Sequence, residues 1–219
     1  MMERDPVDRL GEGGSGLFHA IVRIASWGEG SGLINRLKSK DEVYSIFHIM
    51  GGTSYLLDVF CRDRLHLRDL ILEIKGYPLG HPAQVPVVRT LTTQKILKVF
   101  KSSREFNITH YLGDRIYGFM WVNNLRHDDG FLGQVLDDPL IKSILYLQGR
   151  YVFLLEFMAH LDDEVFHLIR RVKGTESVAG TETQEVLSII KYRGVLQEAP
   201  TAPPRFILPV AETGEIITI

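Results

Sequence analysis

Apolar positions along the chain fall into two rhythms. Short runs of β-branched, aromatic and aliphatic residues mark strands at LFHAIVRIA (17–25) and IYGFMWVN (116–123), and on both sides of two glycines in VYSIFHIMGGTSYLLDVFC (43–61). A spacing of three and four marks short amphipathic helices at LINRLKSK and FLGQVLDD, and longer ones at LHLRDLILEIKG and EVFHLIRRVKG. Asp63, and Asp162 or Asp163, are the expected N-caps of the longer helices. Both helices end at a glycine, for which a left-handed terminus is the expectation. Closing strands are expected over RTLTTQKILKVFK and GTETQEVLSIIK.

The pattern returns. IKSILYLQGRYVFLLEFMA (141–159) aligns without a gap on 43–61, so that Gly51 falls on Gly149, Ser45-Ile46 on Ser143-Ile144 and Leu56-Leu57 on Leu154-Leu155. The same offset of 98 holds from Phe18/Ile116 to Lys75-Gly76/Lys173-Gly174; a shorter loop then reduces it to 90, where Thr93-Gln94 falls on Thr183-Gln184. The order β-α-β-β-α-β, met twice, predicts an α+β chain of two tandem ferredoxin-like βαββαβ units from an internal duplication. Boundaries follow: an N-terminal arm over 1–15, units over 16–101 and 115–194, a connection over 102–114, and a proline-rich linker with a C-terminal β-ribbon over 195–219.

Both faces of the third strand are apolar. Tyr55, Leu57, Val59 and Cys61 point one way, and Leu56 and Phe60 flank Asp58 on the other; Glu156 takes the place of Asp58 in the second copy. Helices cover one face of such a sheet, so the other needs a cover. At about 25 cal/mol per Å2 the natural cover is the other sheet, and two sheets packed face to face, as in a dimeric α/β-barrel, are expected.

Charge and composition narrow the function. Twenty-five basic residues against 27 acidic ones give a net charge of −2, which disfavours unaided binding to nucleic acid. A single cysteine, Cys61, excludes an internal disulfide framework and suits a reducing compartment. MMERDPVDRLGEGGSG lacks the basic and apolar segments of a secretory signal, and no apolar run reaches the length of a membrane span. A soluble cytoplasmic protein without membrane contact is expected.

The hairpin motif, GGTSYLLDV (51–59) and GRYVFLLEF (149–157), resembles the effector-binding (RAM) domain of the Lrp/AsnC family of transcriptional regulators. The resemblance covers about 16–101 and 115–193. It implies homo-oligomers and a small-molecule effector held by Gly51, Gly52, Thr53, Ser54, Tyr55, Thr90 and Thr92, with Gly149, Arg150, Tyr151 and Thr181 as equivalents in the second copy. A turn and a strand edge account for the same residues, and a solvated arginine accounts for Arg150. Ser54 and Val152 stand where the family usually has an aspartate for an amino-acid ammonium group, and about 16 residues before the first strand leave no room for a helix-turn-helix. The expected role is therefore a non-catalytic regulator that reaches DNA only through a partner.

No catalytic signature competes strongly with that reading. His160-Leu-Asp-Asp-Glu-Val-Phe-His167 has metal-ligand residue types, yet its acids sit where a helix N-terminus favours negative charge. GEGGSG and GEGSG lack the GK[ST] of a phosphate loop, so neither cofactor nor metal is expected. The alternative is an enzyme: similar double ferredoxin-like folds house haem-type decarboxylases and small oxygenases, with His48, Tyr146, Arg150 and His160 as candidates to line an inter-sheet cavity. RFILPVAETGEIITI (205–219) is expected to mediate assembly as an exposed ribbon.

Overall fold

Strands whose two faces are both apolar must be covered twice, and the architecture does so. The computed structural model of the chain describes residues 17–27, 30–52, 54–78, 87–102, 115–125 and 129–197. In the first half β1 (Phe18–Ser26), α1 (Ser31–Lys38), β2 (Val43–Ile49), β3 (Tyr55–Cys61), α2 (Arg64–Lys75) and β4 (Val88–Ser102) follow one another. The second half runs β5 (Ile116–Asn124), α3 (Asp129–Val135), β6 (Ile141–Leu147), β7 (Phe153–Ala159), α4 (Asp162–Lys173) and β8 (Val178–Tyr192), and ends in the two-residue β9 (Val195–Leu196). The class is mixed α+β around an antiparallel sheet. No helix among the described residues is long and apolar enough to cross a membrane.

The strands run β2-β3-β1-β4 in the first half and β6-β7-β5-β8 in the second. Two further pairings join them, β4 to β6 and β8 to β2. Eight strands therefore close into a ring, so the two four-stranded sheets are joined at their edges. Strand length is the reason. β4 and β8 have 15 residues each and β2, β3, β6 and β7 have 7, or roughly 50 Å against 24 Å at about 3.4 Å per residue. β4 pairs with β1 as far as Lys95 and then with β6 from Ile96; β8 pairs with β5 as far as Glu185 and then with β2 from Val186. The overhang of each long strand thus covers the edge that the other half would expose.

Alternation along the strands sorts side chains into three cores. Ala20, Val22 and Ile24 of β1 face outward onto Leu33 and Leu37 of α1 and Leu67, Leu70 and Ile74 of α2. Met120 and Val122 of β5, with Phe153 and Leu155 of β7, face Phe131 and Val135 of α3 and Val165, Leu168 and Val172 of α4. The inward positions of all eight strands meet in the third core, which includes Ile21, Phe47, Leu56, Ile96, Phe119, Trp121, Leu147, Leu154 and Ile189. Each of these side chains contributes about 1.5–3 kcal/mol by burial. An exposed ion pair such as Arg36–Glu73 adds only about 0.2–1 kcal/mol.

Helix termini follow the expected chemistry with two corrections. Asp63 caps α2, accepting from the His66 amide at 2.8 Å. α4 begins one residue earlier than expected, with Leu161 at the N-cap. There Glu164 reaches back to accept from the amides of His160 at 2.6 Å and Leu161 at 3.2 Å, so the capping acid comes from the first turn rather than from Asp162 or Asp163. Gly76 and Gly174 end their helices at φ −81 and −74, without the left-handed turn. A Cβ there would stand 3.3 Å from the Leu72 carbonyl oxygen and 3.1 Å from that of Arg170; close approach is what those sites demand. The arm over 1–15 and the ribbon over 205–219 lie outside the described residues.

Positive φ is required at the two hairpins, where Gly51 and Gly149 stand at +110 and +138. Both lie at the seams: Met50 N–H donates to the Glu185 carbonyl and Gln148 N–H to the Lys95 carbonyl, each at 2.8 Å. Gly149→Ala is expected to lose about 1–3 kcal/mol in urea unfolding. Gly133→Ala, in α3 with open space around it, is expected to gain up to about 1 kcal/mol; equal changes at both positions would contradict this account of the turn.

Candidate functional site

The barrel interior is apolar at mid-height and polar at its ends. At one end a cavity of about 70 Å3 lies between the halves, walled by Ile21, Phe47, Leu56, Val99, Phe119, Leu145 and Leu154 and by the polar groups of His19, Tyr44, Ser45, Asp58, Ser102, Ser143, Glu156, Tyr192 and Arg193. β1 and β3 place His19 and Asp58 on the same inward face, where Nε2 of His19 meets Oδ1 of Asp58 at 2.5 Å. The imidazole is 4 % exposed and stacks on Phe60 with ring centres 4.0 Å apart. Its other nitrogen, Nδ1, is buried without a hydrogen-bond partner.

The opposite wall carries the equivalent positions, 98 residues further along the chain. Tyr117 stands for His19, Glu156 for Asp58 and Ser143 for Ser45. The hydroxyls of Tyr117 and Ser143 both donate to the Glu156 carboxyl group. Burial raises the Glu156 pKa above the ordinary carboxyl value; the two hydroxyls and Arg193 oppose the rise and the charge of Asp58 adds to it. Burial, and then the neighbouring Glu156, push the Tyr117 phenol well up. Burial also raises Tyr192.

Arg193 enters from the β8–β9 hairpin. It has φ 50 and the following Gly194 φ 81, the two-residue turn with positive φ at both positions that prefers Asn or Gly. A side chain in that conformation costs about 1–2 kcal/mol. The Arg193 amide donates to Ser45 Oγ at 3.2 Å, which ties the hairpin to β2.

An ion pair occupies the other end of the barrel. The Arg23 guanidinium lies 4.4 Å from the Trp121 ring centre and pairs with Glu182, whose Oε2 also accepts from the Tyr151 hydroxyl at 2.9 Å.

The residues that the family resemblance marks stand elsewhere. Gly51 and Gly52 are exposed at the β2–β3 tip, and Thr53 lies outside the described residues. Ser54 Oγ accepts from the Ser26 amide at 3.2 Å, Tyr55 is buried beside His48, and Thr90 and Thr92 are exposed on β4. Gly149 and the exposed Arg150 occupy the other tip, with the Arg150 guanidinium 5.7 Å from the Tyr151 ring; Thr181 pairs with Val122. None of these lines the cavity. The first group abuts the seam with β8 and the second the seam with β4, so the structure does not bring them together.

The lining expected for an enzyme is also corrected. His48 packs at a tilt against Tyr55, its pKa lowered by burial. Tyr146 packs on Phe100 and Phe153, and Arg150 and His160 are exposed. Asp58 and Glu156 did leave a trace in the sequence, as single acids interrupting an apolar strand face; His19 and Arg193 left none. Burial raises the Cys61 thiol to about 11, in keeping with a packing role.

No family model and no curated protein matches the chain. Solved structures do. The siroheme decarboxylase NirDL aligns over 84% of this chain and 74% of its own at 8% identity and TM-score 0.55. A chlorite dismutase from Candidatus Nitrospira defluvii aligns over 84% and 94% at 12% identity and TM-score 0.51. The regulator MtbAldR, of the Lrp/AsnC family, aligns at 18% identity and TM-score 0.32, over 45% of this chain and 60% of its own. The fold is therefore ferredoxin-like. The expectation of a non-catalytic regulator is overturned: the matches that extend through both halves are to enzymes.

The raised Glu156 pKa has a thermodynamic consequence. A carboxyl group that binds its proton more tightly when folded stabilises the fold below its unfolded pKa, and this contribution is lost as pH rises through the folded value. Urea midpoints measured from about pH 4 to about pH 8 are expected to fall more steeply in the wild type than in Glu156→Gln; parallel pH profiles would contradict the assignment.

Proposed function

We propose that this chain is an enzyme that transforms a small molecule by general acid–base chemistry at the polar end of its barrel. The observation that carries this reading is the convergence on one cavity of an Asp58–His19 pair, with one imidazole nitrogen left unpartnered, and a carboxyl group, Glu156, whose pKa is displaced upward. A titratable group displaced by its surroundings at a cavity is a mark of a functional site. We further propose that residues 16–101 and 115–194 descend from a tandem duplication, supported by the repeated element order and by the matching places of His19/Tyr117 and Asp58/Glu156.

The decarboxylase match suggests a second reading, since NirDL has also been solved in complex with an iron-uroporphyrin III analogue. The cavity does not fit such a group. Its volume of about 70 Å3 is well below the roughly 300–1,000 Å3 of ligand pockets. The layers between sheet and helices are filled by fully buried side chains such as Leu33, Leu57, Phe131 and Leu155. The histidine that lines the cavity has its Nε2 engaged by Asp58. We therefore route no chemistry through a tetrapyrrole.

Mass spectrometry of a metabolite extract incubated with the protein tests the proposal alongside titration with haemin. The expected result is consumption of at least one small compound by the wild type, slowed about 100-fold or more in Asp58→Asn, and no stoichiometric change in the visible spectrum of haemin. Stoichiometric haemin binding unaffected by Asp58→Asn, with no compound consumed, would overturn the reading.

A further inference from the structure

We infer that the outer face of α2 docks on the same face of a second copy of this chain, the two helices lying antiparallel about a two-fold axis that passes between Arg68 and Asp69. This surface is independent of the cavity and of the acid–base reading.

Helical spacing defines the face. Leu67, Leu70 and Ile74 turn inward onto the sheet. On the opposite side Leu65 and Leu72, seven residues and two turns apart, are 61 % and 59 % exposed. Arg68 and Asp69 lie between them, also exposed, so one stripe carries leucine, arginine, aspartate and leucine. A lone exposed leucine is ordinary. Here the second half of the chain supplies a comparison. The places 98 residues further on, in α4, keep the inward face apolar with Val165, Leu168 and Val172 but hold the exposed Asp163 and Arg170 where α2 has its two leucines. The fold therefore does not require apolar residues at those outer positions.

The order of the charges selects the occupant. Turned end for end, the stripe meets its own complement: the axis sets Leu65 against the partner's Leu72 and Arg68 against the partner's Asp69. Parallel helices in register would instead set each arginine against an arginine. A patch that serves both copies alike closes as a dimer and does not propagate. Within one chain Arg68 Nε and Nη2 both donate to Asp69 Oδ1, at 3.1 and 2.9 Å. Oδ2 takes neither of these bonds and both side chains are 62 % exposed, so the neighbours can keep their contact while meeting the second copy. Exposed ion pairs contribute little; the leucines supply adhesion and the charges fix the register. One helix from each copy makes a contact at the small end of specific interfaces, so the dimer is reversible.

Sedimentation velocity of the full chain between about 1 μM and 1 mM tests the inference. The wild type is expected to pass from monomer to dimer across that range, and Leu72→Asp to remain monomeric with an unchanged circular dichroism spectrum. Arg68→Asp and Asp69→Arg each place like charges across the axis. Each alone is expected to weaken the dimer about 10-fold or more, and an equimolar mixture of the two variants to regain it as a heterodimer. The double variant Arg68→Asp/Asp69→Arg keeps opposite charges across the axis and is expected to dimerise like the wild type. A wild type that stays monomeric throughout would overturn the inference. So would a dimer untouched by Leu72→Asp, which would place the contact elsewhere on the chain, or a mixture that associates no more tightly than either charge variant alone.

Discussion

Two seams of backbone hydrogen bonds, β4 with β6 and β8 with β2, are the constraint on which the rest of the molecule depends. Without them each half would be a four-stranded sheet with an open edge and a bare apolar face. With them, the inward face of every strand enters one interior core, and neither β2 nor β6 remains an edge to template association. The 15-residue length of β4 and β8 makes this possible within one chain, because each strand serves its own half first and the other half afterwards.

Closure also decides where polar groups can survive. Mid-barrel positions are filled by Phe47, Leu56, Phe119 and Leu154, so polar side chains that point inward collect at the ends. At one end Arg23 pairs with Glu182, which also accepts from the Tyr151 hydroxyl. At the other, equivalent places in the two halves carry different residues. His19 with Asp58 forms a pair whose other nitrogen is buried without a hydrogen-bond partner, whereas Tyr117 and Ser143 both donate to Glu156. The two halves thus place different titratable groups across a small space.

Much of this architecture was legible in the sequence because it is local. The two rhythms of apolar residues located the strands and helices, and the offset of 98 exposed the repeated order. Apolar positions on both faces of β3 and β7 correctly demanded a second cover. The pairings that close the ring were not legible, since they depend on which strand edge the overhang of β4 finds, and pairing between Ile96 and Leu147 leaves no mark in either segment alone. The candidate cavity left little trace for a related reason. GGTSYLLDV and GRYVFLLEF drew attention to the hairpin tips, but Gly51 and Gly149 owe their identity to positive φ at the seams. Asp58 and Glu156, seven residues further along each strand, were visible only as interruptions of an apolar face. His19 and Arg193 acquire meaning from neighbours 39 and 148 residues away in the chain.

Native-state hydrogen exchange at the seams tests the closed barrel most directly. The Met50 and Gln148 amides each bond across a seam, one to β8 and the other to β4. If the ring is a single cooperative unit, both are expected to exchange only through global unfolding, with the same opening free energy as the interior amides of β1 and β5. Rapid exchange of either amide through a local opening, while those interior amides stay protected, would show that the two halves separate and would contradict the account.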